Sequence, residues 1–131
     1  MTNTRVLPGP GFRICFDDAA GYLRAYVFDG SDSLDVSIAM WRMLAGECEA
    51  IEATRLLVLE DLLSTVDVPE IDAVVDAIFD AGLAKVRIAF VELRDDIQGS
   101  ELAEIMCLER GMTIRLFSHE ADARHWLLFG A

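Results

Sequence analysis

The chain has 131 residues, of which 53% are apolar, and its mean hydropathy is +0.34. Eleven basic residues stand against 23 acidic ones, so the formal net charge is −12. A strongly negative surface repels nucleic acid and anionic lipid, and neither is expected as a partner. Solubility is the simplest reason for the acidity.

The length suits one compact domain with a full hydrophobic core. No apolar run approaches the roughly 20 residues that a membrane span needs. The first residues lack the apolar segment of a signal peptide, so residues 1–11 are interpreted as a flexible leader. We therefore expect a single domain over residues 12–131 and a cytoplasmic location.

Five segments carry the pattern of β-strands. Residues 12–17 and 22–28 flank a cluster of turn residues, which predicts an antiparallel hairpin. Apolar segments at 55–60, 86–92 and 112–117 predict later, parallel strands. Strands that alternate with helices favour an α/β domain with a mixed five-stranded sheet, in the order β-β-α-β-α-β-α-β-α.

Four helices are expected between and after these strands. Ser33 suits the N-cap of the first helix, and Asp67 with Glu70 has the spacing of a capping box before the second. The third helix is expected from about residue 100 to residue 110. Ser118 is expected to cap the last helix.

The first helix carries more apolar residues than one buried face requires. One face, with Ile38 and Trp41, is expected to cover the sheet. The other side carries a second apolar strip, formed by Val36, Met40, Met43 and Leu44. An apolar strip left in water is typical of an interface, so we expect a homodimer through this strip. The competing interpretation is that residues 6–10 cover the strip within one chain.

Five acidic residues follow two neighbouring predicted strands: Glu60, Asp61, Glu92, Asp95 and Asp96. Open α/β sheets bind ligands at the carboxyl ends of their strands, and carboxylate oxygens suit Mg²⁺ or Ca²⁺. The alternative is that the last two favour a helix start while the others are solvated. No loop has the spacing of an EF-hand, so no metal or other cofactor is expected.

The cysteines and histidines give no catalytic pattern. Cys15, Cys48 and Cys107 are widely spaced among apolar neighbours, which indicates reduced core thiols. Cys107 with His119 has the chemistry of a nucleophile and its base, but nothing in the sequence brings them together. His119 and His125 are six residues apart and do not share a helix face as metal ligands would. An enzyme is the least favoured class, and no catalytic residue is expected.

The element order and the ending 117–121, followed by Trp126 and Leu127, resemble the STAS/SpoIIAA-like superfamily. Within it the chain resembles the small bacterial SpoIIAA-like proteins of STAS/SEC14 type, whose functions are mostly unknown. The resemblance covers residues 12–127 and implies a STAS-like fold with a non-enzymatic protein-interaction or regulatory role. Binding of a small apolar ligand or lipid, as in SEC14-like relatives, is the alternative that it implies.

The resemblance also bears on phosphorylation. Anti-sigma factor antagonists of this superfamily carry a phosphorylated serine in a D-S-S-G-like segment at a helix start. The matching stretch, residues 65–71, has Val68 and Pro69 where the serines would be, so this switch is expected to be absent. Ser64 and Thr65 are nearby candidates for phosphorylation, although a turn role is the simpler interpretation.

Overall fold

A computed structural model describes residues 3–94 and 97–130. Their strands form one mixed sheet, and the strand order across the sheet follows the chain. The strands are β1 Thr4–Gly9, β2 Phe12–Ala19, β3 Tyr22–Phe28, β4 Arg55–Glu60, β5 Arg87–Glu92 and β6 Ile114–Phe117. β1 to β3 are antiparallel, whereas β3 to β6 are parallel. The predicted mixed α/β sheet is confirmed, but the predicted number of five strands is wrong because the described residues form six.

The described residues contain four α-helices: α1 Leu34–Ala50, α2 Ile71–Asp80, α3 Ile97–Glu109 and α4 Glu120–Phe129. Side chains of α1, α2 and α3 join one core cluster on one side of the sheet, which we refer to as the three-helix face. α4 packs on the opposite side against β4, β5 and β6, and this side is the α4 face. The two faces therefore have separate cores.

The sixth strand comes from residues that the sequence assigned to a flexible leader. β1 pairs with β2 over its whole length, across a two-residue turn at Pro10 and Gly11. Gly11 has a φ of +86°, the conformation required at the third position of a type II turn. β1 is an edge strand, where Pro8 is tolerated because its missing N–H would face away from the sheet. The prediction of a flexible leader over 1–11 is thus corrected for residues 4–9.

The predicted helix caps are confirmed only in part. The Val36 N–H donates to Ser33 Oγ at 3.2 Å, which confirms Ser33 as the N-cap of α1. The capping box before α2 is wrong, because the Glu70 N–H donates to the backbone carbonyl of Asp67 in a short 3₁₀ turn. α4 begins after His119, one residue later than expected.

The second apolar strip of α1 lies in the core of the chain. Met40 and Leu44 are fully buried, while Val36 and Met43 are partly buried against the same cluster. α1 contacts both α2 and β1. Leu7 of β1 packs against the same core cluster. Met40 and Leu44 are therefore not available for the predicted homodimer interface, and a homodimer stays a prediction.

Candidate functional site

A cleft lies at the carboxyl ends of the parallel strands on the three-helix face. Its volume is about 70 Å³, enough for a few water molecules or the end of one side chain. Pockets for whole organic ligands start at roughly 300 Å³. The walls are mainly apolar and include Trp41 and Phe90, whose rings stack with centroids 5.9 Å apart. The cleft is therefore narrow and has an aromatic wall.

Four carboxyl side chains line this cleft, and each comes from a different element. Asp32 precedes α1, Glu60 ends β4, Glu92 ends β5 and Glu104 lies on α3. Glu60 and Glu92 are register partners in adjacent parallel strands, so their side chains project from the sheet to the same face. Among the described lining residues there is no lysine, arginine or histidine. The cleft thus combines apolar walls with an excess of acidic groups.

Asp32 and Glu60 form the most unusual contact in the cleft. The Glu60 side chain is one of the hydrogen-bonding groups that hold down the pKa of Asp32, which burial raises. Burial raises the pKa of Asp32, although hydrogen bonds from the Ser37 hydroxyl at 2.7 Å and the Ser33 N–H at 2.8 Å oppose this. Carboxyl groups with a perturbed pKa occur more often at functional sites than elsewhere.

The structure divides the predicted acidic cluster between the two faces of the sheet. Glu60 and Glu92 line the cleft on the three-helix face. Asp61 accepts hydrogen bonds from the Tyr26 hydroxyl and from Arg94 Nε, and Tyr26 packs against the core of the α4 face. These two hydrogen bonds hold the pKa of Asp61 below its ordinary value. Asp61 therefore does not line the cleft with Glu60 and Glu92, although Arg94 contacts both Asp61 and Glu92.

The other two predicted members, Asp95 and Asp96, lie outside the described residues. In the part of the chain that the structure describes, no three His, Cys, Asp or Glu side chains have a metal-binding arrangement. Sequence reasoning missed Asp32 and Glu104. Asp32 follows a parallel strand, so its position at the carboxyl edge of the sheet could have indicated it. Glu104 lies within a helix, and no sequence pattern indicated it. The Glu104 carboxylate accepts a hydrogen bond from the backbone N–H of Leu116 on the edge strand β6.

The loop between β4 and α2 forms a fixed border of the cleft. The Leu63 N–H donates to the Gly30 carbonyl at 3.0 Å, and the Leu63 carbonyl accepts from the Asp32 N–H at 2.6 Å. Leu62 and Val66 of the same loop are buried in the core. These contacts join the loop to the segment that follows β3, so its backbone is held in place.

Three large apolar side chains are exposed on the loops that follow β4 and β5. Leu63 and Val68 are 54% and 56% exposed, and Leu93 is 46% exposed. We refer to Leu63, Val68 and Leu93 as the apolar rim. Ser64 and Thr65, the predicted phosphorylation candidates, are exposed on the same loop. Their modification stays a prediction.

The cysteines do not form a nucleophilic site with histidine in this structure. Burial raises the pKa of Cys48 to about 12 and that of Cys107 to about 11, and a thiol in that range is almost wholly protonated at neutral pH. Cys107 lies in the core of the three-helix face, whereas His119 begins the helix on the opposite face. Cys15 is only partly buried and belongs to neither core cluster, unlike the core thiol that was predicted.

No model of a known protein family matches the chain, and no curated protein matches it. The STAS-like interpretation therefore depends on the order of the elements, to which β1 adds a strand that the resemblance did not imply. No helix in residues 3–94 or 97–130 has both the length and the apolar character needed to cross a membrane.

Proposed function

We propose that this chain is a non-enzymatic, STAS-like interaction domain that binds a partner protein at the carboxyl ends of its parallel strands. The observation that carries this proposal is the apolar rim, three half-exposed apolar side chains beside an acidic cleft. Grouped apolar side chains at the surface are typical of protein interfaces. Loops on a rigid scaffold are also the usual place for binding residues.

The backbone that presents the rim is already ordered in the free chain. Leu63 pairs with Ser31 in an isolated parallel bridge, and buried Leu62 and Val66 fix the loop on both sides of it. A partner therefore meets a preformed surface and does not have to order a mobile loop. Preorganisation of this kind lowers the entropic cost of association.

The charge distribution favours a partner that differs from this chain. Two copies would bring net charges of −12 together, and Met40 and Leu44 of the α1 strip predicted for a homodimer are buried. Opposite charge across an interface speeds association and excludes wrong partners. The proposed partner is therefore a protein with a basic contact segment.

The alternative is a carrier or sensor for a small apolar ligand or lipid. The apolar lining of the cleft favours it. Its volume of about 70 Å³ and its four carboxyl groups do not suit such a ligand, because burying carboxyl groups against hydrocarbon is costly. We therefore prefer the partner protein.

The test is affinity capture with a rim variant and a matched control. The rim variant is Leu63→Glu with Val68→Glu, and the control is Ile105→Glu with Leu108→Glu, which changes two residues of α3 that are each 52% exposed. We expect a partner that the wild type and the control bind and that the rim variant binds at least about tenfold more weakly, measured by titration of the two purified proteins.

Native mass spectrometry of the same samples reports a second copy of the 14.5 kDa chain or a retained small molecule. A partner whose affinity is unchanged in the rim variant would contradict the proposal. A retained lipid or a stable homodimer in place of a partner would contradict it as well.

A further inference from the structure

We infer that the cleft receives a lysine side chain of the partner, with its methylene groups along the apolar walls and its ammonium group beside Asp32, Glu60 and Glu92. This inference rests on the proposed function, because the lysine belongs to the segment that covers the apolar rim. It adds the chemistry by which that segment is recognised.

The size and lining of the cleft fit one side chain. About 70 Å³ is too little for most free ligands but enough for the end of a side chain that enters from a docked segment. Lysine has an apolar stem and a charged end, and such side chains pack their stems on apolar surface while the charge stays with polar groups. The walls offer Trp41, Val74 and Ile78 to the stem and carboxyl groups to the end.

The carboxyl groups come from separate elements and so surround the space from several directions. Asp32, Glu60, Glu92 and Glu104 line the same cleft, and the carboxylates of Glu92 and Glu104 also accept the backbone N–H groups of Arg94 and Leu116. An ammonium group has three N–H donors and can meet acceptors in three directions, whereas the planar guanidinium of arginine requires a flat pair.

The cleft and the apolar rim share one loop. Val66, which lines the cleft, lies in the loop between rim residues Leu63 and Val68. A segment that places apolar side chains on the rim would therefore carry its lysine over the cleft. The motif expected in the partner is a lysine flanked by apolar residues.

The probe is a nine-residue peptide, acetylated and amidated, with one lysine between two leucines in a glycine–serine background. A matched peptide has norleucine in place of lysine, which keeps the stem and removes the charge. The chain has two tryptophans, Trp41 at the cleft and Trp126 on the α4 face, so their indole N–H signals in ¹⁵N–¹H spectra report the two faces separately.

We expect the lysine peptide to shift the Trp41 signal in a saturable way and to leave the Trp126 signal unchanged. The norleucine peptide should bind at least about tenfold more weakly, because charge-assisted hydrogen bonds exceed neutral contacts by about that factor. No shift of Trp41 at millimolar peptide, or equal affinity for both peptides, would overturn the inference.

Variants of the carboxyl groups give the second test. Glu92→Gln should weaken binding of the lysine peptide about tenfold, and Glu60→Gln should do the same if that buried variant folds. Glu109→Gln, an exposed position on α3, removes the same formal charge away from the cleft and should change the affinity less than about twofold. Equal effects of Glu92→Gln and Glu109→Gln would show only general charge attraction and would overturn the inference.

The outcomes separate this inference from the proposed function. If a rim-dependent partner binds but no lysine peptide does, the lysine inference fails and the interaction surface stands. If the lysine peptide binds the cleft but every partner tolerates the rim variant, the proposed function fails instead.

Discussion

The two faces of the sheet hold carboxyl groups in opposite ways, even where these are adjacent in the chain. On the three-helix face, Glu60 shares a hydrogen bond with Asp32 in an apolar cleft, and burial raises the pKa of Asp32. On the α4 face, Asp61 is hydrogen-bonded by Tyr26 and Arg94, which lower its pKa. Hydrogen bonds thus lower the pKa of the carboxyl group on the α4 face, whereas burial raises the pKa of Asp32 in the cleft.

Further contacts on the α4 face show the same structural use of charge. Arg24 donates from Nε and Nη2 to the two carboxylate oxygens of Glu120, at 2.7 and 3.1 Å. The guanidinium of Arg87 lies 3.8 Å from the ring centroid of Trp126. These contacts fasten α4 at its first turn and near its end. Arginine therefore supports the packing of α4, as Arg5 does for α1 on the three-helix face through its ion pair with Glu47.

The largest expected effect is on the α4 face, which has the smaller core. Trp126 is buried there against Phe117 and Arg87. Trp126→Ala should lower the free energy of unfolding by about 3–5 kcal/mol, the usual cost of truncating a large buried aromatic. Phe129→Ala changes the same helix at a side chain that is 72% exposed and should cost about 0.5 kcal/mol or less. Urea denaturation measures both, and similar costs would show that α4 is not held by this cluster.

The next effect contrasts the thiols of the two faces. Cys48 and Cys107 lie in the core of the three-helix face with raised pKa values, whereas Cys15 projects to the side of the sheet that α4 leaves partly open. A thiol reagent at pH 8 should label Cys15 at least about a hundredfold faster than the other two, which react only when the fold opens. Mass mapping of the labelled peptides gives the rates, and denaturation should make all three reactive. Fast labelling of Cys107 in the native protein would revive the catalytic interpretation.

A smaller effect concerns the dependence of stability on pH at the cleft. Because the pKa of Asp32 is raised on folding, the folded state keeps a proton that the unfolded chain has lost, and stability falls as the pH rises above the ordinary value of about 3.9. Asp32→Asn cannot ionise but retains an acceptor for Ser37 and gains a donor to Glu60. Its melting temperature should therefore decrease less than that of the wild type between pH 4 and pH 7.

The other carboxyl groups that line the cleft, Glu60, Glu92 and Glu104, remain in the variant. The control is Asp72→Asn, at an exposed position on α2, whose profile should follow the wild type. Parallel profiles for Asp32→Asn and the wild type would show that Asp32 is not strained by burial.

Local patterns were enough to predict most of the fold. The strands at 22–28 and 55–60 have the predicted bounds, because alternation and apolar runs are strong signals over a few residues. β1 was missed because Pro8 and Pro10 indicate a loop, and the strand exists only through pairing with β2. The burial of the α1 strip could not be predicted either, since the number of elements packed around a helix is not a local property.

The candidate site was predicted only where the topology alone determines it. Glu60 and Glu92 were placed together because the carboxyl ends of adjacent parallel strands meet at one edge. Asp61 was wrongly grouped with them because neighbouring residues of an extended chain project to opposite faces. The contact between Asp32 and Glu60 depends on how α1 enters the fold, which no sequence pattern specifies.

The smallest expected effect tests whether charge on the α4 face is structural. Arg24 and Glu120 are 29% and 39% exposed, so solvent screens the pair and limits its contribution to about 1 kcal/mol or less. The hydrogen bond from Arg24 lowers the pKa of Glu120, so this stability is present above the unfolded pKa of about 4.3 and is lost as the pH falls through the lowered folded value. Glu120→Gln should therefore be less stable than the wild type at pH 7 by about 0.5–1 kcal/mol, which includes the lost charge at the start of α4. The difference should vanish near pH 3 and shrink in high salt, whereas Glu109→Gln should show no such dependence. A deficit that does not change with pH would mean that hydrogen bonding, and not charge, fastens α4 to the sheet.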